Sequence, residues 1–293
     1  MTAHPELEGA GPDPAVLKDE MRAAAEFLSR PPPSGRSSKG GGAPRTSDLS
    51  VDEEFALHSV GWEPIQLVCG VSLYSIPMGV WNWGQGEIGP ASTAYARAFA
   101  AATHRIHREC TDVGGRGVVG VHIESEVHRH HVDVALVGTA VRAVGSKGPS
   151  ADPVFVSDLS GRDFALLHAS GWEPLGLAVG ASFVYAPRRS AGMAIKQKSQ
   201  NVELANFTEA MYSARESAME RMQRAALEMD GTGVVEVKVT EGPMGFARHA
   251  IGFTAYGTVV RLVAGRHRPL RPRMVLPVDD PVVRFEAAAI RGK

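Results

Sequence analysis

A chain of 293 residues has room for two compact domains with tails to spare. Its 44% hydrophobic content, 22% charged residues and formal net charge of −1 describe an ordinary globular protein and exclude an electrostatic case for nucleic acid. No apolar run reaches the ~18 residues of a membrane span, the opening MTAHPELEGAGPDP lacks the regions of a signal peptide, and two isolated cysteines make no disulfide framework. A reducing, cytoplasmic setting is therefore the expectation.

Residues 1–46 read as a tail. Asp13-Pro14 can open a helix through about Arg30, with Val16, Leu17, Met21, Ala24, Ala25 and Leu28 at helical spacing, before PPPSGRSSKGGGAP stops regular structure. That helix is either a docking peptide for a protein partner or a marginal terminal helix. Two matching openings follow, SDLSVDEEFALHSVGWEP at 47–64 and SDLSGRDFALLHASGWEP at 157–174, at a constant offset of 110. Each supplies an N-cap and a short helix that ends near the glycine of Gly-Trp-Glu-Pro. A strand is expected next, Ile65 to Tyr74 and Leu175 to Tyr185, each holding one glycine (Gly70, Gly180) that signals a bulge or a close approach. The copies then diverge, into Trp81-Asn82-Trp83 with Gly84, Gly86 and Gly89 in the first and Arg188-Arg189, Lys196 and Lys198 in the second. The two tryptophans offer either a partner platform or a cover for a loop.

A long helix comes next in both copies. Phe207, Met211, Ala214, Ala218, Met222, Ala225 and Met229 draw an apolar stripe in the second, and Tyr95, Phe99, Ala102, Ile106 and Val113 do so in the first. Gly114-Gly115 and Gly231 end these helices. Hairpins close the copies, Gly117 to Val144 and Gly233 to Val263, each opening with Gly-Val-Val-x-Val and closing with Gly-Thr-x-Val-Arg-x-Val. The expected architecture is thus α+β, a tandem duplication in which each module is a β-sheet with a short and a long helix packed on one face. Module 1 takes residues 47–145, module 2 residues 156–263, and 264–293 is a C-terminal arm, basic through Arg266, Arg268, Arg271 and Arg273 and then apolar. The arm suits either a protein partner or the chain's own surface.

The carriers Tyr95-Ala96-Arg97, Gly117 to Ile123 and Gly138-Thr139-Ala140-Val141, met again as Tyr212, Ala214-Arg215, Gly233 to Val239 and Gly257-Thr258-Val259-Val260, resemble the YbjQ family, which is also named for heavy-metal binding. The resemblance covers the helix and last hairpin of each copy. It implies a small α+β module that assembles into closed homo-oligomeric rings, pentameric for single modules; an odd-numbered ring cannot be built from whole two-module chains, whereas two stacked rings or an even pseudo-ring can.

The chemistry sits in the first hairpin. Strand alternation puts Val119, Val121 and Ile123 on one face and His122, Glu124 and Glu126 on the other, with His128 and His130 joining them if the extended register continues and His131 and Asp133 close by. Imidazoles and carboxylates in that pattern are candidate ligands for a divalent transition metal such as zinc, nickel, copper or iron, and equally the solubilising residues of an exposed hairpin. The second hairpin offers only Glu236, Lys238, Thr240 and Glu241, with His249 beyond. His58 and His168, three residues before Gly-Trp-Glu-Pro, are expected to cap or to pack on tryptophan, and Glu63 and Glu173 to share that context. No phosphate-cradling loop, nucleophile elbow or HExxH is present. The leading reading is a non-catalytic, homo-oligomeric binding or scaffold protein without nucleic-acid or membrane partners, and the alternative is an enzyme acting on a small ligand at subunit boundaries.

Overall fold

The computed structural model describes residues 45–81, 86–146, 153–186, 204–247 and 249–263. The N-terminal helix, the C-terminal arm, Trp83 and the Arg188-Arg189 to Lys198 stretch lie outside them. Helix α1 (Val51–Ser59) begins where Glu53 Oε2 accepts the Ser50 N–H at 2.8 Å, and α3 (Gly161–Ala169) begins where Ser160 Oγ accepts the Asp163 N–H at 3.1 Å. Strands β1 (Trp62–Ser75) and β6 (Trp172–Tyr185) follow directly, starting three residues ahead of expectation because Trp62-Glu63 and Trp172-Glu173 already pair across to Ala143-Arg142 and Leu262-Arg261. The ladders slip one residue later, between Pro64 and Gln66 and between Pro174 and Gly176, where proline has no N–H to give.

The long helices α2 (Gly89–Asp112) and α4 (Ala205–Glu228) lead into hairpins β3 (Gly117–Val127)/β4 (His131–Ala143) and β7 (Gly233–Pro243)/β8 (Ala250–Leu262). Two short strands complete the sheets, β2 (Gly86–Glu87) and β5 (Phe155–Val156), and both cross over. The sheet orders are β1-β4-β3-β5 and β2-β6-β8-β7. So β2, from just before α2, pairs with β6, and β5, from just before α3, lies parallel to β3. The fold is α+β.

Of the two expectations for Gly70 and Gly180, a bulge or a close approach, the second is met: they let helix and strand touch. A Cβ at Gly70 would stand 2.2 Å from the Ala102 carbonyl of α2, and one at Gly180 1.9 Å from the Ala218 carbonyl of α4. The true bulges lie at Gly120 and Glu236, both left-handed, at φ 64° and 53°. The Gly120 bulge corrects the expected face: Val118 and Val121 share one side of β3 with Ile123, while Val119, expected beside Val121, turns to the other side and packs with Leu57, Leu159 and Phe164. These matched contacts fix the structural equivalences: Ala102 with Ala218 and Ile106 with Met222, hence Ala98 with Ala214. Pairing Ala96-Arg97 with Ala214-Arg215, as the motif suggests, is two residues out.

One core gathers Val68, Tyr95, Phe99, Ile106 and Leu136 and also takes in Leu177, Ala181, Phe183 and Tyr185 from β6. The opposite face of β6 packs on α4 through Ala178 and Val184. A third cluster, Leu57, Val119, Val141, Leu159 and Phe164, closes over the short helices, which pack on each other. Trp81 is core as well: it is buried, its Nε1 donates to the Arg129 carbonyl at 2.9 Å, and its ring meets Phe183 and Phe246 edge-on. It covers a loop and offers no platform.

Candidate functional site

Hairpin β3/β4 turns through His128, Arg129 and His130, closed by the His128 N–H donating to the His131 carbonyl at 2.8 Å. Two donors from outside brace the turn, Ile76 N–H to His130 O at 2.7 Å and the Trp81 indole to Arg129 O. The register sets Glu126 opposite Asp133. Across that braced tip His128 Nε2 lies 2.8 Å from Asp133 Oδ1 and 3.2 Å from Glu126 Oε2, His131 Nε2 lies 3.9 Å from Asp133 Oδ1, and the two imidazoles stack at 4.5 Å. One ligand atom from each of His128, His131 and Asp133 falls within 4.8 Å of the others.

These residues fit a divalent ion. Bonds near 2.0–2.2 Å in a tetrahedron put ligand atoms about 3.4 Å apart, between the two distances to Asp133 Oδ1. That oxygen is buried and receives no well-directed hydrogen bond, a cost that a cation would remove. Of the residues expected from sequence, the structure brings His128 and Glu126 to this point. His122 and Glu124 pair with each other at 3.6 Å on the exposed face, and His130, also exposed, contributes its carbonyl to the brace. His131 and Asp133, marginal in the sequence reading, are central, because the tight turn folds β4 back over β3.

A second feature lies between the sheets, a cleft of about 610 Å³ lined by Asp48, Glu53, Gly120, His122, Asp158, Glu236 and Lys238 among others. The Asp158 carboxylate is fully buried, accepts from the Thr258 hydroxyl at 2.5 Å and meets the Lys238 amine at 3.1 Å. Burial works against the Lys238 charge, but Asp158 and then Glu236 outweigh it and hold the amine above its ordinary pKa. Burial likewise disfavours the Glu53 carboxylate, yet hydrogen bonds from Ser50 and the Gly161 N–H carry its pKa below the usual range. Glu63 and Glu173 pair with Arg142 at 2.7 Å and Arg261 at 2.5 Å across their ladders. His168 stacks on Phe164 and meets Trp62 edge-on, so its tryptophan belongs to the other opening and not to its own.

Comparison with known proteins adds two findings. A family profile described as "Putative heavy-metal-binding" (YbjQ) matches residues 189–263. A Mycobacterium tuberculosis protein named encapsulin nanocompartment protein Rv1762c is 34% identical over 242 residues, covering 80% of this chain and 92% of that protein. No solved structure matches. Among the described residues of the matched stretch no three potential ligands converge, since the positions equivalent to His128, His131 and Asp133 are Met244, Ala250 and Gly252. No helix among the described residues is long and apolar enough to cross a membrane.

Proposed function

Because this chain belongs to the family of the encapsulin nanocompartment protein Rv1762c, we propose that it is a non-catalytic, homo-oligomeric scaffold built from two YbjQ-like modules, residues 47–145 and 156–263, and working in the cytoplasm. The observation that carries this reading is the strand exchange. Each sheet is completed by a strand lent from the other half, β2 to β6 and β5 to β3, and one face of β6 is buried against α2. Such halves cannot separate without losing ladder bonds and core together, so the chain is a rigid two-module block suited to building larger assemblies. Native mass spectrometry of untagged protein tests it: a discrete multiple of the chain mass is expected, and a single-chain mass at micromolar concentration would refute it.

A second reading is favoured by one further observation, the Asp133 oxygen that lies between two imidazoles and receives no well-directed hydrogen bond. Under it, His128, His131 and Asp133, with Glu126 beside them, hold a divalent transition metal at the hairpin tip. Bound to the folded state alone, the ion would raise the melting temperature in proportion to the logarithm of its concentration, and the effect would fade in acid as the imidazoles protonate. Zinc or nickel added to chelated protein should raise the melting temperature by several degrees in the parent and leave H128A/D133N unmoved. Equal shifts in both proteins would remove the site.

A further inference from the structure

The junction inside the chain is head-to-tail, and the two surfaces that form it recur in the two halves, where no described residue covers them. The first half presents α2 and the β3 edge; the second presents the odd-numbered face of β6, the segment from β5 to Ser160, and the start of α3. Along β3, Ser157 donates to Val118 O at 2.9 Å and receives from Val121 N–H at 3.0 Å, while Gly120 N–H donates to Leu159 O at 2.8 Å. On β7 the equivalents of Val118 and Val121 are Val234 and Val237, and the edge is open among the described residues.

Burial shows the same asymmetry. Ala181 and Phe183, 5% and 1% exposed in the junction, correspond to Val71 and Leu73 on β1, at 47% and 54%. Val121, at 3%, corresponds to Val237 at 40%. From α4 the Arg221 guanidinium binds the carbonyl of Ala181 on β6 at 2.6 Å and grips Glu87, arriving from the other half, at 2.5 and 2.8 Å. Arg105 holds the Val71 carbonyl in the same pose and has no carboxylate partner among the described residues.

Charge identifies what fits. At the junction Asp52 of α1 pairs with Arg162 of α3, and these are equivalent positions, 110 residues apart. A second junction of the same geometry would set Arg162 of one chain against Asp52 of the next, again opposite in sign. It would also bring the Asp163 carboxylate, equivalent to Glu53, toward Val51, equivalent to Gly161, whose N–H Glu53 accepts at 3.2 Å; because a Cβ at Gly161 would stand 2.9 Å from the Glu53 Cβ, the Val51 side chain sets the short helices farther apart there than inside the chain.

We propose that the β7 edge and outer α4 face of one copy bind the exposed β1 face and α1 of a second copy of this chain, repeating the internal junction between molecules. This rests on the scaffold reading and names the surface through which it acts. Leu73 and Val237 are already solvent-exposed in the single chain, so a charge at either leaves the fold intact and removes one half of the junction. Each of L73D and V237D alone should reduce the parent oligomer to single chains with unchanged circular dichroism. Mixed, they should form a 1:1 dimer and nothing larger, because L73D keeps an intact β7 edge and V237D an intact β1 face. V71D and V239D provide a second pair should either first variant fold poorly. A parent that is itself a single chain overturns scaffold and junction together. An oligomeric parent whose variants stay oligomeric, or whose monomeric variants do not combine, overturns the junction alone and assigns these faces to another occupant such as the chain's own terminal segments.

Discussion

At Gly180 the fold leaves no room for a methyl group, since a Cβ would meet the Ala218 carbonyl at 1.9 Å and the Met222 nitrogen at 2.8 Å, both backbone atoms inside α4. Nothing flexible can give way, so the helix itself must lift from β6. G180A is therefore expected to lose at least about 2 kcal/mol. The control G245A, where a Cβ would meet nothing within 4 Å, should stay within about 0.5 kcal/mol. Urea unfolding followed by circular dichroism measures both, and equal midpoints would mean the helix is not seated as described. The cysteines invite a second test at this scale. Burial pushes the Cys110 thiol up to about 12, with only a partial offset from the Gly117 backbone, so almost no thiolate forms at pH 8. Cys69 is exposed, its thiol raised by partial burial and by Glu109 but still within reach of reagent. Titration with a thiol-specific reagent should find one reactive group per folded chain and two after denaturation. What the sequence could and could not say follows the same line. Gly70 and Gly180 announced a close approach, because glycine inside a strand has few other uses. The meeting of His128 with His131 and Asp133 could not be read from alternation, because it depends on where the chain turns and on the Gly120 bulge.

At the scale of elements, the exchange through β2 is the contact most open to pH. Glu87 is held below the usual carboxylate range first by the hydrogen bond from Arg221, against some burial, and then by the Ser92 hydroxyl at 2.8 Å. A carboxyl with a depressed folded pKa stabilises fully above its unfolded value of about 4.3, and that contribution is lost as pH falls through the lower folded value. Acid should therefore loosen β2 from β6 in the window below about pH 4, before the main ladders yield. The reporter is the Ile88 amide, which donates to Phe183 O at 2.7 Å. Since Glu87 and Arg221 are each about one-third exposed, the pair contributes on the order of 1 kcal/mol. E87Q should then speed hydrogen exchange at Ile88 about fivefold at neutral pH and abolish its extra acid sensitivity. Unchanged exchange would mean that β2 is held by its backbone bonds alone. These two short strands escaped the sequence reading for a physical reason. Two residues cannot display a period, and the partner of each lies in the other half of the chain, whereas the long helices and the β3/β4 and β7/β8 hairpins carried their own periodicity.

At the scale of the whole molecule, the alternation of Asp52 and Arg162 decides whether a second junction is attractive. Equivalent positions meet each other there, so a chain with two identical modules would bring like charges together at every junction. Opposite residues at 52 and 162 make each junction complementary, inside the chain and between chains alike. Exposed pairs contribute only about 0.2–1 kcal/mol each, but like-charge contacts cost a similar amount, so a reversal counts twice and acts at both kinds of junction. R162D places two carboxylates at every junction and should lower the concentration stability of the assembly at least about tenfold, more at low salt than at 0.5 M. D52R/R162D restores opposite signs in the reverse order and should recover the parent oligomer, although neither residue then stands where it began. Sedimentation velocity across a dilution series separates these cases. A double variant no better assembled than R162D would show that the two side chains act through separate partners, and would remove the charge argument for a second copy while leaving the apolar β1 face and the β7 edge to be judged by the mixing of L73D with V237D.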